Sequence, residues 1–189
     1  MSKANLIGRD HPLRHFFAEV VRRRFDADLS MRDPRLAGYV SGLLVDFTHA
    51  DSLYRVRDAR GRRLEDVGEM LLESNPLLGA DSFDREREVR KHVGDYVLFM
   101  TGLFPEGLSA RRRFGQMRLD AFVDYVKAGK GSYGVVAAFD QFEYAGEAPL
   151  FRKLADNFEL CVFGLNLVKE DLERRQRAFY RGLRGAFEG

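Results

Sequence analysis

One cysteine, Cys161, is all the chain carries, which excludes an intrachain disulfide framework and fits a reducing compartment. It sits in the apolar run Leu160-Cys161-Val162-Phe163, where a buried, inert thiol is expected rather than a nucleophile. Long apolar runs are missing too: none approaches the roughly eighteen residues a membrane span needs. No secretory signal opens the sequence, so a cytoplasmic location is expected. An excess of one charge is also lacking. The 31 basic and 29 acidic residues leave a formal net charge of +2, too little to steer the chain as a whole toward nucleic acid. Internal repeats, low-complexity tracts and clear interdomain linkers do not occur.

The usual signatures of chemistry are scarce as well. There is no GxSxG elbow for a serine nucleophile, no HExxH for zinc, no CxxCH for covalent haem and no Glu-x-x-His for a di-iron bundle. One motif stands against this background. Gly129-Lys130-Gly131-Ser132-Tyr133-Gly134-Val135-Val136 has the form GxGxxGxV, the loop that kinases lay over ATP phosphates. Its context denies that role. No lysine follows on Ala137–Phe142, and neither HRD nor DFG occurs anywhere. Leu119, Phe122, Val123 and Val126 before the loop recur with a helical period, so the dinucleotide version, which needs a preceding strand, fails too. Gly129 is expected to end one helix and Ser132 to cap the next, with no nucleotide bound.

What is present suits a helical fold. Hydrophobic residues make up 45% of the chain and charged residues 32%, enough for both a core and a solvated surface. A chain of 189 residues fits one domain and buries about 70% of its unfolded surface. Apolar residues at helical steps predict helices over about 11–28, capped by Asp10, and over 34–50 behind Asp33-Pro34. Others are predicted over 64–75, 82–104, 116–128, 132–143 and 149–181. Arg22, Arg23 and Arg24 at the far end of the first helix favour its negative C-terminus. Residues 53–64 read as an irregular or hairpin arm, and Arg111-Arg112-Arg113 as an exposed connection. The fold class is therefore all-α, a single-domain helical bundle of about six to eight helices over 1–189, with a tail at 177–189 that orders on contact.

Candidate functional residues fall into three groups. Asp46 and His49, Glu69 and Glu73, and Glu88, His92 and Asp95 stand at helix spacing, which brings oxygen and nitrogen ligands to one face. They are the candidate set for a transition metal or haem. The competing expectation for His92 is a core-border histidine that pairs with a carboxylate. Arg55, Arg57, Arg60, Arg62 and Arg63 crowd beside Tyr54, and arginine with an aromatic suits phosphate contact and base stacking. Glu65 and Asp66 follow directly, and a solvated arm is the simpler expectation. Phe179, Leu183 and Phe187 line one edge of the arginine-rich C-terminal segment, a pattern suited to docking on a partner's groove, on a second subunit, on an anionic membrane surface or on the chain's own bundle. Together these predict a non-catalytic protein-interaction or regulatory module with no cofactor, holding a partner protein or a second copy of itself. A metal or haem bundle protein is the first alternative, and a nucleic-acid binder acting through the arginine arm is the second.

Overall fold

The computed structural model describes residues 11–106 and 118–188, with the side chains of residues 118–121, 183 and 186–188 outside the description. Asp10 and Arg111–Arg113 therefore lie outside the described residues. Nine α-helices and one 3-10 turn occur among the described residues, with no strand, as the sequence predicts for the class. They are α1 (Pro12–Asp28), α2 (Pro34–Asp46), α3 (Ala50–Leu53), α4 (Val67–Glu73), α5 (Phe83–Leu103), α6 (Arg118–Ala138), the 3-10 turn Phe142–Tyr144, α7 (Ala148–Asp156), α8 (Phe158–Arg175) and α9 (Arg177–Glu188). None of them is long and apolar enough to cross a membrane.

Local chemistry sets most helix starts. Asp33 caps α2, its Oδ1 accepting from the amides of Arg35 at 3.0 Å and Leu36 at 3.1 Å, and Pro34 takes the first position, where no amide is needed. Ser82 starts α5 in the same way, its hydroxyl accepting from the Arg85 amide at 3.1 Å. At α1 the described cap is His11, whose Nδ1 accepts from the Leu13 amide at 3.2 Å. The arginines of α1 do not gather in its last turn, which holds no basic residue. They bond to side chains instead.

The helix predicted over 34–50 ends at Asp46, with α3 following at Ala50–Leu53, and two further sequence-based boundaries need correction. Residues 116–128 and 132–143 were predicted as separate helices divided by glycine, but α6 runs unbroken from Arg118 to Ala138. The predicted helix over 149–181 is instead α7, α8 and α9, divided at Asn157 and Gln176. At Asn157 both the backbone amide, at 3.0 Å, and the side-chain amide, at 2.9 Å, donate to the Lys153 carbonyl, which closes the helix.

The described residues group into two compact units. The first takes residues from 1–53, 99–115 and 159–189, and α1 packs on α2 within it. Its core includes Phe17, Val21, Phe25, Leu36, Leu44, Phe99, Leu103 and Leu165, each no more than 1% exposed. Asp171 of α8 ties α1 to this core, accepting from Arg23 at 2.6 Å and doubly from Arg24 at 2.8 Å.

The second unit takes residues from 54–98 and 116–158, and α6 packs on α7 within it. Its centre is aromatic: the ring of Tyr133 lies 5.6 Å from Phe151 and 5.8 Å from Phe158. Glycines let its helices approach. A Cβ on Gly94 would meet the Tyr133 ring at 2.5 Å, and one on Gly129 would meet Phe158 at 2.5 Å and Val97 at 2.8 Å. Residues 54–64 form the predicted arm as a turn closed by a single antiparallel bridge, Arg57 to Arg63. Gly61 supplies the left-handed conformation there at φ 81°, and buried Val56 and Leu64 fasten the arm's ends.

Candidate functional site

The GxGxxGxV segment lies wholly inside α6. Amides in a helix interior are spent on the carbonyls one turn back and are not turned toward an anion. Gly129 is a packing position and Ser132 a buried interior residue, not a helix end and a cap. Nothing in this geometry cradles phosphate.

The His and carboxylate candidates have been put to other uses. Asp46 closes α2, and the amide of exposed His49 reaches its carbonyl at 3.4 Å. Glu69 accepts from Arg62 at 3.1 Å and Glu73 from Arg85 at 3.3 Å, while Glu88 stands 3.6 Å from Arg85 at 62% side-chain exposure. Asp95 is buried and accepts from the Tyr133 hydroxyl and from Lys91, each at 2.8 Å. His92 is fully buried, with its ring 6.3 Å from that of Tyr96. Among the described residues no group of three or more His, Cys, Asp or Glu is placed to hold a metal ion. Buried Asp95 and Tyr133, with half-buried Lys91 at the edge, form a polar network of the kind that fixes a core. Lys91, at i, i+4 to Asp95, was legible as a helical ion pair, whereas Tyr133 was hidden inside the glycine motif. Burial pushes the Cys161 thiol up to about 12, with Glu159 adding to the effect, so it stays protonated and inert at neutral pH.

The arginine candidates divide. Asp58 organises the arm by accepting from the amides of Arg60 and Arg62, both at 2.9 Å, and the Arg62 amide holds its carboxyl below the ordinary range. The Arg62 side chain also spans Asp58 at 3.2 Å and Glu69 at 3.1 Å. Arg57 donates to the Gly61 carbonyl at 2.9 Å. Arg55, Arg60 and Arg63 are exposed. In the C-terminal segment Phe179 is half-buried, its ring 6.1 Å from Phe17. Its neighbour Tyr180 is buried, stacks on Phe104 at 5.7 Å and donates to the Leu103 carbonyl at 3.2 Å. The side chains of Leu183 and Phe187 lie outside the described residues.

A surface the sequence reading did not single out lies in the second unit. Among the described residues eight large apolar side chains are exposed, and five of them fall in two stretches: Leu72, Leu77, Leu78 and Phe83, and Phe142. Both stretches are firmly built. Asn75 accepts the Leu77 amide on its side chain at 2.9 Å, and its carbonyl accepts the amides of Leu78, Gly79 and Ala80 at 3.0, 2.9 and 3.0 Å. This knot leaves Leu77 91% and Leu78 69% exposed. Phe142 opens the 3-10 turn at φ 51°, a left-handed conformation that is rare and strained for a bulky residue, and its ring is 87% exposed.

The two stretches are pinned together. Tyr144 donates its hydroxyl to Asp84 at 2.6 Å, and that bond raises the phenol above its ordinary range and keeps it a donor. The Arg87 guanidinium lies 4.0 Å over the Tyr144 ring and bonds Glu147 at 2.7 Å. Phe83 and Phe142 therefore project from elements joined by three side-chain contacts. A groove of about 490 Å³ runs alongside, lined by Asp140, Ala148, Pro149, Arg152, Lys153 and Asp156 among others. The signal for this surface was present in the sequence as the consecutive leucines after Asn75-Pro76. Their exposure was not, because periodicity does not distinguish an apolar turn that is covered from one that is bare.

Against known proteins the chain matches no family model, no curated relative and no solved structure.

Proposed function

We propose that this protein is a non-catalytic interaction module that holds a partner protein through the apolar surface of its second unit. The observation that carries this reading is the exposure of Leu72, Leu77, Leu78, Phe83 and Phe142 on helix ends and turns held by the Asn75 bonds and by the Tyr144–Asp84 bond. Scattered apolar residues on a surface are ordinary, but large ones concentrated on a rigid frame mark contact sites. Covering a Leu or Phe yields about 1.5–3 kcal/mol, so a partner that buries several gains most of a micromolar affinity from them. The carboxylates of Glu69, Glu73 and Asp95 are engaged by Arg62, by Arg85 and by Lys91 with Tyr133, which supports binding over catalysis. In this reading the protein works in the cytosol, where its one buried thiol stays reduced.

The test compares the intact chain with a variant carrying Leu77→Ser, Leu78→Ser and Phe142→Ser. These positions are exposed, so each change is expected to shift stability by no more than about 0.5 kcal/mol. The variant should keep the wild-type melting temperature and lose the chains that co-purify with the wild type in quantitative mass spectrometry. The same set captured by both proteins overturns the reading.

A further inference from the structure

The apolar surface also carries a charge signature, and this names the chemistry of what covers it. Stretch 72–84 contains Glu73, Asp81 and Asp84, and stretch 139–147 contains Asp140, Glu143 and Glu147; neither holds a single lysine or arginine. That absence is pronounced in a chain with 31 basic residues and a net charge of +2. Of the cations nearby, exposed Arg152 and Lys153 line the neighbouring groove with Asp140 and Asp156, and Arg85 and Arg87 are turned to structural work. Arg85 is taken by Glu73 at 3.3 Å and by the Arg57 carbonyl at 2.6 Å. Arg87 is 8% exposed between Tyr144 and Glu147. Asp81, Asp84, Asp140, Glu143 and Glu147 all remain exposed around Phe83 and Phe142.

Resting on the interaction reading above, we infer that the occupant is a basic, amphipathic segment of a partner protein, with apolar side chains set against Phe83, Phe142 and Leu77 and lysines or arginines facing the surrounding carboxylates. Aromatic anchors on a rigid base, ringed by polar groups, are the arrangement in which a few residues carry most of the binding energy. Unbalanced like charge at the rim selects a partner of opposite sign and speeds its encounter. A second copy of this chain is a poorer occupant when it is applied through the same face. An isologous contact sets a surface against itself, and here that would bring carboxylate against carboxylate.

The test uses a random 16-residue peptide library displayed on phage and panned on the intact chain. Enriched sequences should interleave Lys or Arg with Leu, Ile, Phe or Trp. Synthetic versions should bind by fluorescence anisotropy and weaken as salt rises. Binding should fall at least about tenfold in Phe142→Ala and in Phe83→Ala, and comparably in the double variant Asp140→Lys, Glu143→Lys. Enriched peptides that are acidic or uncharged, peptides whose binding survives those variants, or no enrichment at all would each overturn the inference. So would light scattering that shows a dimer dissociating in Phe142→Ala, because a second copy would then be the occupant. These outcomes leave the co-purification experiment untouched: partners lost from the serine variant alongside a non-basic consensus would sustain the interaction reading and sink only the charge assignment.

Discussion

Asp171 sits in α8 at 3% exposure and gathers guanidinium nitrogens from Arg23 at 2.6 Å and Arg24 at 2.8 Å, with that of Arg174 farther off at 3.6 Å. Arg24, then Arg23, holds its carboxyl below the ordinary range despite the opposing effect of burial. A carboxylate whose folded pKa is depressed stabilises the fold above its unfolded value of about 3.9 and loses that contribution as pH falls through the folded value. Asp171→Ala should therefore cost about 3 kcal/mol at neutral pH, the low end for breaking a buried pair, since Arg23 is 36% exposed and can rehydrate. Urea melts should show the wild type losing part of this advantage below about pH 4, where the variant's curve is flatter. An unchanged neutral-pH midpoint would refute the assignment. The sequence shows Arg22, Arg23 and Arg24 plainly but gives their partner no signal, because 147 residues separate Arg24 from Asp171. Local spacing suggested the helix dipole, and a distant carboxylate prevailed because a bidentate charged bond outweighs a partial charge at a helix end.

In the elements, legibility follows whether a signal is local. The period of apolar residues in α1 and α5 and the start of α2 at Asp33-Pro34 all act within a few positions, and the structure follows them closely. Glycine is the exception, since it permits a break without requiring one. In α6 the glycines of the motif fall into two environments that the sequence does not reveal. A Cβ at Gly129 would collide with Phe158 and Val97, whereas Gly131 and Gly134 have nothing within 4 Å. Gly129→Ala should accordingly destabilise by about 1–3 kcal/mol, the cost of overpacking. Gly131→Ala and Gly134→Ala should stabilise by about 0.5–1 kcal/mol through the gain in helix propensity. Thermal melts of the three variants check this, and equal shifts of one sign would contradict the helix-packing account. The cation-free turns at 72–84 and 139–147 mark the opposite limit: their composition was readable, but their exposure depends on which neighbours arrive.

At the scale of the whole molecule the near-balance of charge conceals segregation. The stretches 72–84 and 139–147 lack cations altogether, while Arg55, Arg57, Arg60, Arg62 and Arg63 crowd a segment of nine residues. That segment is the only ground for expecting nucleic acid, and its chemistry is partly spent. Arg62 serves Asp58 and Glu69, and Arg57 serves the Gly61 carbonyl. A guanidinium already bonded to carboxylates displaces fewer counterions from a phosphate backbone than its formal charge suggests. The chain should therefore bind a 20-nucleotide single-stranded RNA no more tightly than the non-specific range, roughly 10⁻⁴–10⁻⁶ M near physiological salt. Replacing all five arginines with glutamine should change that affinity by less than about tenfold, and should cost the fold little because exposed ion pairs contribute about 0–1 kcal/mol each. Filter binding across a salt series gives the result directly. Submicromolar binding that declines steeply with salt and disappears in the glutamine variant would move function from the apolar surface to the arginine arm.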